Sequence, residues 1–490
     1  MSMKYDLDAL LNETEVEKEA PLFEIEYCDP YEYVPYKKVV VDEDGVATEV
    51  TPSPVWKDEK GKLHIDYPAF VENFARANNI VCCNGLFYTP DGVVSETRMK
   101  SDINYSLIER GWTDRLDVPV NSLFKSLKEM KGVDTLDVDE RVIPFANGDL
   151  YIDYTGRWVF HYEEKKQTPY RLGVDLVPDD APMPKFEKWL HDLFENDDIL
   201  TIQEMLGYAM LPSTTVQEAF FLVGDASAGK SVLGHILGRI INNGFQAITT
   251  ADLVTQRFQI ASAENKLVLY DDDLGSAALT ETGLLKKLIT ADQPIPAERK
   301  YEKGFTFMSY AKVIACANFM LSSLYDDSDG FFRRLHPIHV KPRDPNRTNI
   351  PGFGEQIAEE EAEQIARWAL RGLKRLIANN WKITWSKRSH DYMAQNKEKA
   401  MHYPEFLKET LELSPTDDVS CEELRKLYER WCKANNFQDT KVKRMQNWMS
   451  DNAEKEGLTQ SRTIVRDGRR VRGYKGVKIR SEWKNVTLSL

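Results

Sequence analysis

Residues 220–231 read FFLVGDASAGKS, and no other stretch of the chain restricts its fold as strongly. The core, Gly224-Asp225-Ala226-Ser227-Ala228-Gly229-Lys230-Ser231, fits the pattern G-x-x-x-x-G-K-[ST]. Such a turn needs a buried strand before it and a helix after it. Its backbone N–H groups then point inward and cradle phosphates at the positive end of the helix. The apolar run Phe220-Phe221-Leu222-Val223 suits the strand, and residues 232–241 (VLGHILGRII) carry helical apolar spacing. Taken alone, the eight residues could be a turn of small side chains that binds nothing. With both flanks present, an α/β fold is expected, with Lys230 reaching β- and γ-phosphates and Ser231 holding Mg²⁺ through its hydroxyl.

A phosphate site of this kind needs a carboxylate on a neighbouring strand, to hold the metal through water and polarise the attacking water. Residues 266–273 (KLVLYDDD) supply one, since an apolar strand there delivers acids to its carboxyl end, where open α/β sheets bind ligands. Asp271 and Asp272 are the candidates, and Asp273 reads as a cap for the next element. Residues 311–318 (AKVIACAN) form another apolar run ending in an amide. Asn318 is therefore the candidate for orienting the attacking water. Between the two runs lies PIPAERKYEKGFTFM, with a hairpin tip expected at Glu302-Lys303-Gly304 and with Arg299, Lys300 and Lys303 gathered together. A positive loop there could grip a nucleic-acid backbone, although an ordinary exposed hairpin fits the segment nearly as well. Finally, Phe331-Phe332-Arg333-Arg334 precedes LHPIHV. An arginine from this segment, reaching into a neighbour's site, would stabilise charge on the γ-phosphate; by itself the pair reads as a surface ion pair.

The rest of the chain sets the context. At 490 residues it exceeds a single core, and roughly two to four domains are expected. No run of eighteen apolar residues is present, so a membrane span is not expected, and the acidic first residues lack the apolar core of a signal peptide. Six cysteines without a C-x-x-C pair read as reduced thiols of a cytosolic protein, and not as a disulfide frame or a zinc site. The net charge of −14 argues against indiscriminate nucleic-acid binding, but it is unevenly spread. The first fifty residues carry an excess of ten acids, and the last thirty an excess of seven bases. Residues 1–60 therefore read as an acidic, mobile or peripheral segment, and 61–140 as a small α/β module. Residues 142–212 open with a turn-punctuated β stretch, bending at Asn147-Gly148 and Thr155-Gly156, and continue as helices whose aromatics, Trp189 among them, read as packing. Glu359-Glu360-Glu361 reads as a solvated face near a helix start. In the tail, two helical patterns precede a hairpin turning at Asp467-Gly468. That order suggests a winged helix, with Lys441, Lys443 and Arg444 outward on its second helix and Arg466, Arg469, Arg470 and Arg472 lining the wing, where guanidinium groups pair well with phosphates.

These elements, in this order, resemble the superfamily-three helicases, specifically the phage/plasmid primase-helicase branch that includes poxvirus-type enzymes. IPFANGDL and the helices through MLGYAML are similar to that family's pre-helicase domain, GDASAGKS to its Walker A and LVLYDDD to its Walker B. LKKLITADQPIPAERKYEKGFTF is similar to the B′ region, KVIACANF to the sensor motif and FFRRL to the arginine-finger segment. Family loops often carry extra glycine and an asparagine where this chain has Ala226, Ser227 and Ala228, and no polymerase-type primase site is recognisable. The resemblance implies a pre-helicase domain over 141–212, an AAA+-like P-loop ATPase over 213–345, a helical extension over 346–400 and a winged-helix domain over 401–490. It further implies a homo-hexameric ring with ATP and Mg²⁺ between subunits. One subunit would supply Lys230, Ser231, Asp271, Asp272 and Asn318, and the next Arg334, or else Arg333. Single-stranded DNA would pass through a central pore, 3′→5′, while the tail binds duplex or origin DNA, with a primase or other replication proteins as further partners in a bacterial host cytoplasm. A nucleotide-switched DNA-binding regulator that does not unwind is the alternative reading.

Overall fold

The computed structural model describes residues 21–28, 34–41, 45–133, 136, 138–256, 258–274, 282–300, 304–318, 329–400, 403–435 and 442–484. They divide into two compact units: a larger one drawn from the chain up to residue 389, and a smaller one made chiefly of residues 390–490. Among the described residues no helix is long and apolar enough to cross a membrane.

The larger unit is mixed α/β. Near its start, the helices Tyr67–Ala77, Glu96–Glu109 and Asp117–Met130 share a core of Phe70, Phe74, Phe87, Leu107, Leu123 and Leu127 with a four-stranded sheet. The first of these helices begins cleanly because Asp66 accepts from the Ala69 N–H at 3.1 Å, satisfying an amide that has no partner inside the helix. A second four-stranded sheet comes next, from the strands Val142–Phe145, Gly148–Ile152 and Trp158–Tyr162. The second bend is shaped by Asp153, which accepts from the Thr155 and Arg157 amides at 3.0 and 2.8 Å, and by Gly156 at φ 103°. The amino-terminal stretch expected to be mobile or peripheral supplies the fourth strand: Glu24–Tyr27 lies parallel to Trp158–Tyr162. Among the described residues, three further strands lie between it and residue 57. The sequence hides them because most of their side chains are exposed, so no apolar alternation marks them.

This sheet is tied to its surroundings by an ion pair. Arg171 donates to Asp149 at 2.7 Å and to the Phe145 carbonyl at 2.7 Å, while the Lys166 amide donates to the other Asp149 oxygen at 2.9 Å. Both side chains are buried. Burial pushes the Asp149 carboxyl above its usual range, and Arg171 opposes that rise. Arg171→Met strands the carboxylate, with an expected loss of about 3–5 kcal/mol. The double variant Asp149→Leu/Arg171→Met should recover much of that loss in the same denaturation experiment.

Three helices, Pro184–Leu193, Asn196–Ala209 and Ala362–Ala378, pack beside the sheets. The stripe Ile365, Trp368, Ala369, Leu373 and Leu376 of the last is buried in the same core as Ile202, Met205 and Leu206 of the second. Their backbones come close because no side chain intervenes at Gly207 or Gly372. A Cβ at Gly372 would lie 2.4 Å from the Gln203 carbonyl. Glu361, expected on a solvated face, is 6% exposed. The helix Pro184–Leu193 has no side-chain cap of its own, and Glu361 accepts from the Lys185 and Phe186 amides at 3.0 and 2.7 Å. A neighbour thus supplies the missing cap, which sequence spacing cannot reveal.

The central layer is a five-stranded, wholly parallel sheet in the order Phe245–Ala247, Val268–Leu274, Lys312–Ala317, Ala219–Val223, Leu335–His339. Its strand interiors are apolar on both faces, as a sheet covered by helices requires.

The smaller unit runs helix Tyr403–Thr410, strand Leu411–Ser420, helices Cys421–Ala434 and Val442–Asn452, then strands Thr459–Arg466 and Arg469–Ile479. The three strands form an antiparallel sheet over a core of Tyr403, Phe406, Leu427, Trp431 and Met445. Ser420 and Glu423 close a reciprocal capping box on the first helix of the pair. The hairpin turns at Asp467 and Gly468, both at positive φ (47° and 74°), as a two-residue turn of matching twist demands.

Candidate active site

Every parallel strand ends at the same edge of the sheet, so the strand order decides which termini meet. Ala219–Val223 lies beside Lys312–Ala317, which in turn lies beside Val268–Leu274. The loop after the first, the amide after the second and the acids ending the third are therefore gathered at one edge.

The loop leaves Val223 through Gly224, whose N–H donates to the Ala317 carbonyl at 3.1 Å. Ser227 and Gly229 adopt positive φ, 60° and 102°. Glycine takes that conformation freely, whereas it costs the serine about 1 kcal/mol, a strain concentrated where a ligand would sit. Ser231 precedes the helix Val232–Ile241 without capping it, and the Ser231 side chain is exposed. The Leu233 and Gly234 amides of its first turn are taken by the Lys230 and Ser231 carbonyls, at 3.1 and 3.0 Å.

Lys230 is 8% exposed. Its ammonium donates to the carbonyls of Gly224 and Asp225, at 2.7 and 2.8 Å, and to Asn318 Oδ1 at 3.3 Å. Burial pulls its pKa down, countered by the carboxylates of Asp225, Asp273 and Asp272 nearby. Lysine and amide, eighty-eight residues apart in sequence, thus share one point.

The three acids part company. Asp271 is 4% exposed and is used internally, accepting from the Thr250 amide at 2.7 Å, at the first residue of the helix Thr250–Thr255, and from the Asp273 amide at 3.3 Å. The strand's pairing shifts register after Asp271, so strict alternation lapses and both Asp272 and Asp273 are exposed. Asp272 accepts from the Tyr270 hydroxyl at 2.9 Å, and the same hydroxyl lies 3.1 Å from Cys316 Sγ. Burial pushes the Cys316 thiol up to about 12, so it is neutral at physiological pH. Asp273, assigned only a cap from the sequence, bears on Lys230 alongside Asp272.

Three residues outside the motifs hold the loop. Trp189, taken from the sequence as packing, is buried and also donates its indole N–H to the Gly229 carbonyl at 3.0 Å. Arg347 donates to the Ala228 carbonyl at 2.7 Å and pairs with Asp192, and Arg343 donates to the Ser227 carbonyl at 3.3 Å. One signal could have found the arginines: they come after Leu335–His339, a strand that ends at the same edge as the loop.

Arg334 lies at the other end. Its carbonyl accepts from the Ala219 amide at 2.7 Å, and Leu335 pairs with Ala219, whereas the loop departs after Val223. Five residues of strand, about 16 Å, separate the two edges. Arg333 is exposed.

Of the cations expected on nucleic acid, Arg299 pairs with Glu264 and stacks over the Phe305 ring at 4.3 Å. It sits beside the hairpin Ile295–Ala297/Phe305–Phe307, and Lys300 is next to it in the chain. Lys303 and Lys441 lie outside the described residues, as does the side chain of Arg444; Lys443 is exposed. Arg469, Arg470 and Arg472 are exposed on the carboxy-terminal hairpin. Arg466, expected to line the same wing, is instead committed inside the unit: it bonds Glu423 at 2.9 Å and Asp418 at 2.8 Å. Those acids lie on other elements, which is why its neighbours in sequence gave no warning.

Fold and site together define a mixed α/β chain whose parallel sheet carries a lysine, an amide and two exposed carboxylates at one edge. A family of unknown function (DUF5906) matches residues 222–334, the span from the loop strand to Arg334. Among solved structures, the apo structure of the NrS-1 C-terminal region (305–718) is similar at 14% identity, covering 83% of this chain and 98% of that chain, with a TM-score of 0.46. The A form apo structure of the NrS-1 C-terminal region is similar at 13% identity, covering 81% of this chain and 95% of that chain, with a TM-score of 0.44. No curated protein matches the chain.

Proposed function

We propose that the chain is an ATP-dependent DNA helicase and replication initiator of a phage or mobile element, working as a hexameric ring of AAA+-like subunits on single-stranded DNA in the 3′→5′ direction. The observation that carries this reading is the meeting of Lys230 with Asn318 at 3.3 Å, at the edge where Asp272 and Asp273 are exposed. A site that binds phosphate needs only the loop and lysine. One that also hydrolyses needs an amide to orient water and a carboxylate to polarise it, and both are at hand.

Lys230 would exchange its two carbonyl acceptors for phosphate oxygens. Asn318, already in touch with the ammonium, would register whether the γ-phosphate is present. The exposed oxygens of Ser231, Asp272 and Asp273 form a hard donor set that fits Mg²⁺, which when bound neutralises phosphate charge. Asp271 would support the site from behind by fixing the helix Thr250–Thr255. The position of Arg334 at the far edge favours a finger supplied to the neighbouring subunit, hence a ring. The helix–strand–helix–helix–hairpin order of the smaller unit, with Arg469, Arg470 and Arg472 exposed, supports a winged helix for duplex or origin DNA.

The test is a forked duplex with ATP and Mg²⁺. Strand displacement and ATP hydrolysis stimulated by single-stranded DNA are the expected results. Hydrolysis without displacement, under conditions where oligomers form, would reject the helicase reading.

A further inference from the structure

Away from the loop edge, the larger unit brings together a thiol, an imidazole and a carboxylate. Cys28 comes directly after the strand Glu24–Tyr27, and its amide donates to the Tyr162 carbonyl at 3.3 Å, which brings it beside the end of the strand Trp158–Tyr162. His161 is on that strand, and Glu164 lies two residues beyond it. Cys28 Sγ lies 3.6 Å from Glu164 Oε2, His161 Nδ1 lies 2.6 Å from the same oxygen, and the three donor atoms are all within 4.8 Å of one another. All three residues are half-buried. The other ring nitrogen, Nε2, lies 3.4 Å from Glu26, and the Tyr151 hydroxyl donates to the second Glu164 oxygen at 3.1 Å.

We propose that Cys28, His161 and Glu164 form a zinc site, with Cys28 Sγ, His161 Nδ1 and a Glu164 oxygen as ligands and a water in the fourth position. The donor set carries the choice of metal: thiolate, imidazole and carboxylate suit a borderline-soft ion and not Mg²⁺ or Ca²⁺. The surroundings match what such ligands need. Glu26 can accept the Nε2 proton and fix the tautomer that leaves Nδ1 for the metal, and Tyr151 orients the carboxylate. The sulfur–oxygen spacing already suits tetrahedral donors with bonds of about 2.0–2.3 Å, while the Nδ1–Oε2 spacing must open to about 3.4 Å as the metal replaces their shared proton. Binding also releases the Cys28 thiol proton.

Such a site has work to do. The strand Glu24–Tyr27 has four exposed residues on a sheet edge, held by its backbone pairing, by buried Phe23 and by surface contacts such as Glu24 with Arg157 at 3.0 Å. A metal spanning Cys28 and His161 would staple that strand to the strand it borders.

The experiment uses the full-length chain, stripped with chelator and titrated with Zn²⁺ against a chromophoric competitor. One equivalent should bind, and Co²⁺ should give a thiolate charge-transfer band. Cys28→Ser should abolish that band, and Glu26→Gln should weaken zinc affinity about 10–100-fold. Zinc should slow hydrogen exchange of residues 24–28 in the unaltered chain, a readout independent of whether any variant folds. Absence of a stoichiometric ion, a cobalt spectrum without the thiolate band, or exchange unchanged by zinc would each overturn the proposal, leaving His161 simply hydrogen-bonded between two carboxylates.

Discussion

Lys230→Ala is expected to lower ATP turnover by at least about 10²–10³-fold, with circular dichroism showing the chain still folded. The ammonium is buried against the loop and is the donor shared by Gly224, Asp225 and Asn318. Removing it deletes the cation that would meet charge developing across the β- and γ-phosphates, and it also leaves Asn318 without the partner that orients it. The parallel sheet itself does not depend on this side chain, since the strands beside the loop are held by their ladders and apolar packing. Loss of turnover should therefore outrun any loss of stability, and strand displacement should vanish with it. A variant that hydrolyses ATP at the unaltered rate would remove the phosphate-site reading altogether.

Arg334→Ala should reduce turnover by about 10³-fold while nucleotide affinity, measured by direct titration, stays close to that of the unaltered chain. The reason is position. Arg334 is one residue ahead of a strand that runs parallel to the loop strand, so it and the loop occupy opposite edges of the same sheet. A γ-phosphate held at the loop would lie about 16 Å of strand away from Arg334 within one chain; in a head-to-tail ring the far edge of one subunit could meet the loop edge of the next. Mixing separates this from a structural role. Neither Lys230→Ala nor Arg334→Ala protein alone should be active. In the proposed ring, mixed assemblies would contain interfaces where an intact Lys230 faces an intact Arg334, so partial activity should return. No recovery after demonstrated subunit exchange would reject the shared site.

Much of the loop edge was legible because each of its parts is local. A loop of small residues after an apolar run, an apolar run ending in acids and another ending in an amide are all written in consecutive residues, and a parallel sheet delivers such run-ends to one edge. What escaped depends on contacts between distant segments. Asp271 is still in register and buried, the shift after it leaves both Asp272 and Asp273 exposed, and nothing in a row of three aspartates announces where pairing will slip. Glu361 looked solvated because its partners, the Lys185 and Phe186 amides, lie on another helix. Arg466 looked like its neighbours Arg469 and Arg470 until the fold set Glu423 and Asp418 against it. The amino-terminal strands were invisible for a different reason: backbone pairing at an exposed edge requires no apolar pattern.

The contacts on the outer side of the loop also connect it to something beyond nucleotide. Gly229 is held by Trp189 of the helix Pro184–Leu193, Arg347 joins Ala228 to Asp192 near that helix's end, and Glu361 grips its first turn. If the loop changes shape on binding a phosphate, as the proposed function requires, this helix would be pulled with it, a tie rod between the loop and the packed helices behind it. Trp189 fluorescence would then report any such movement.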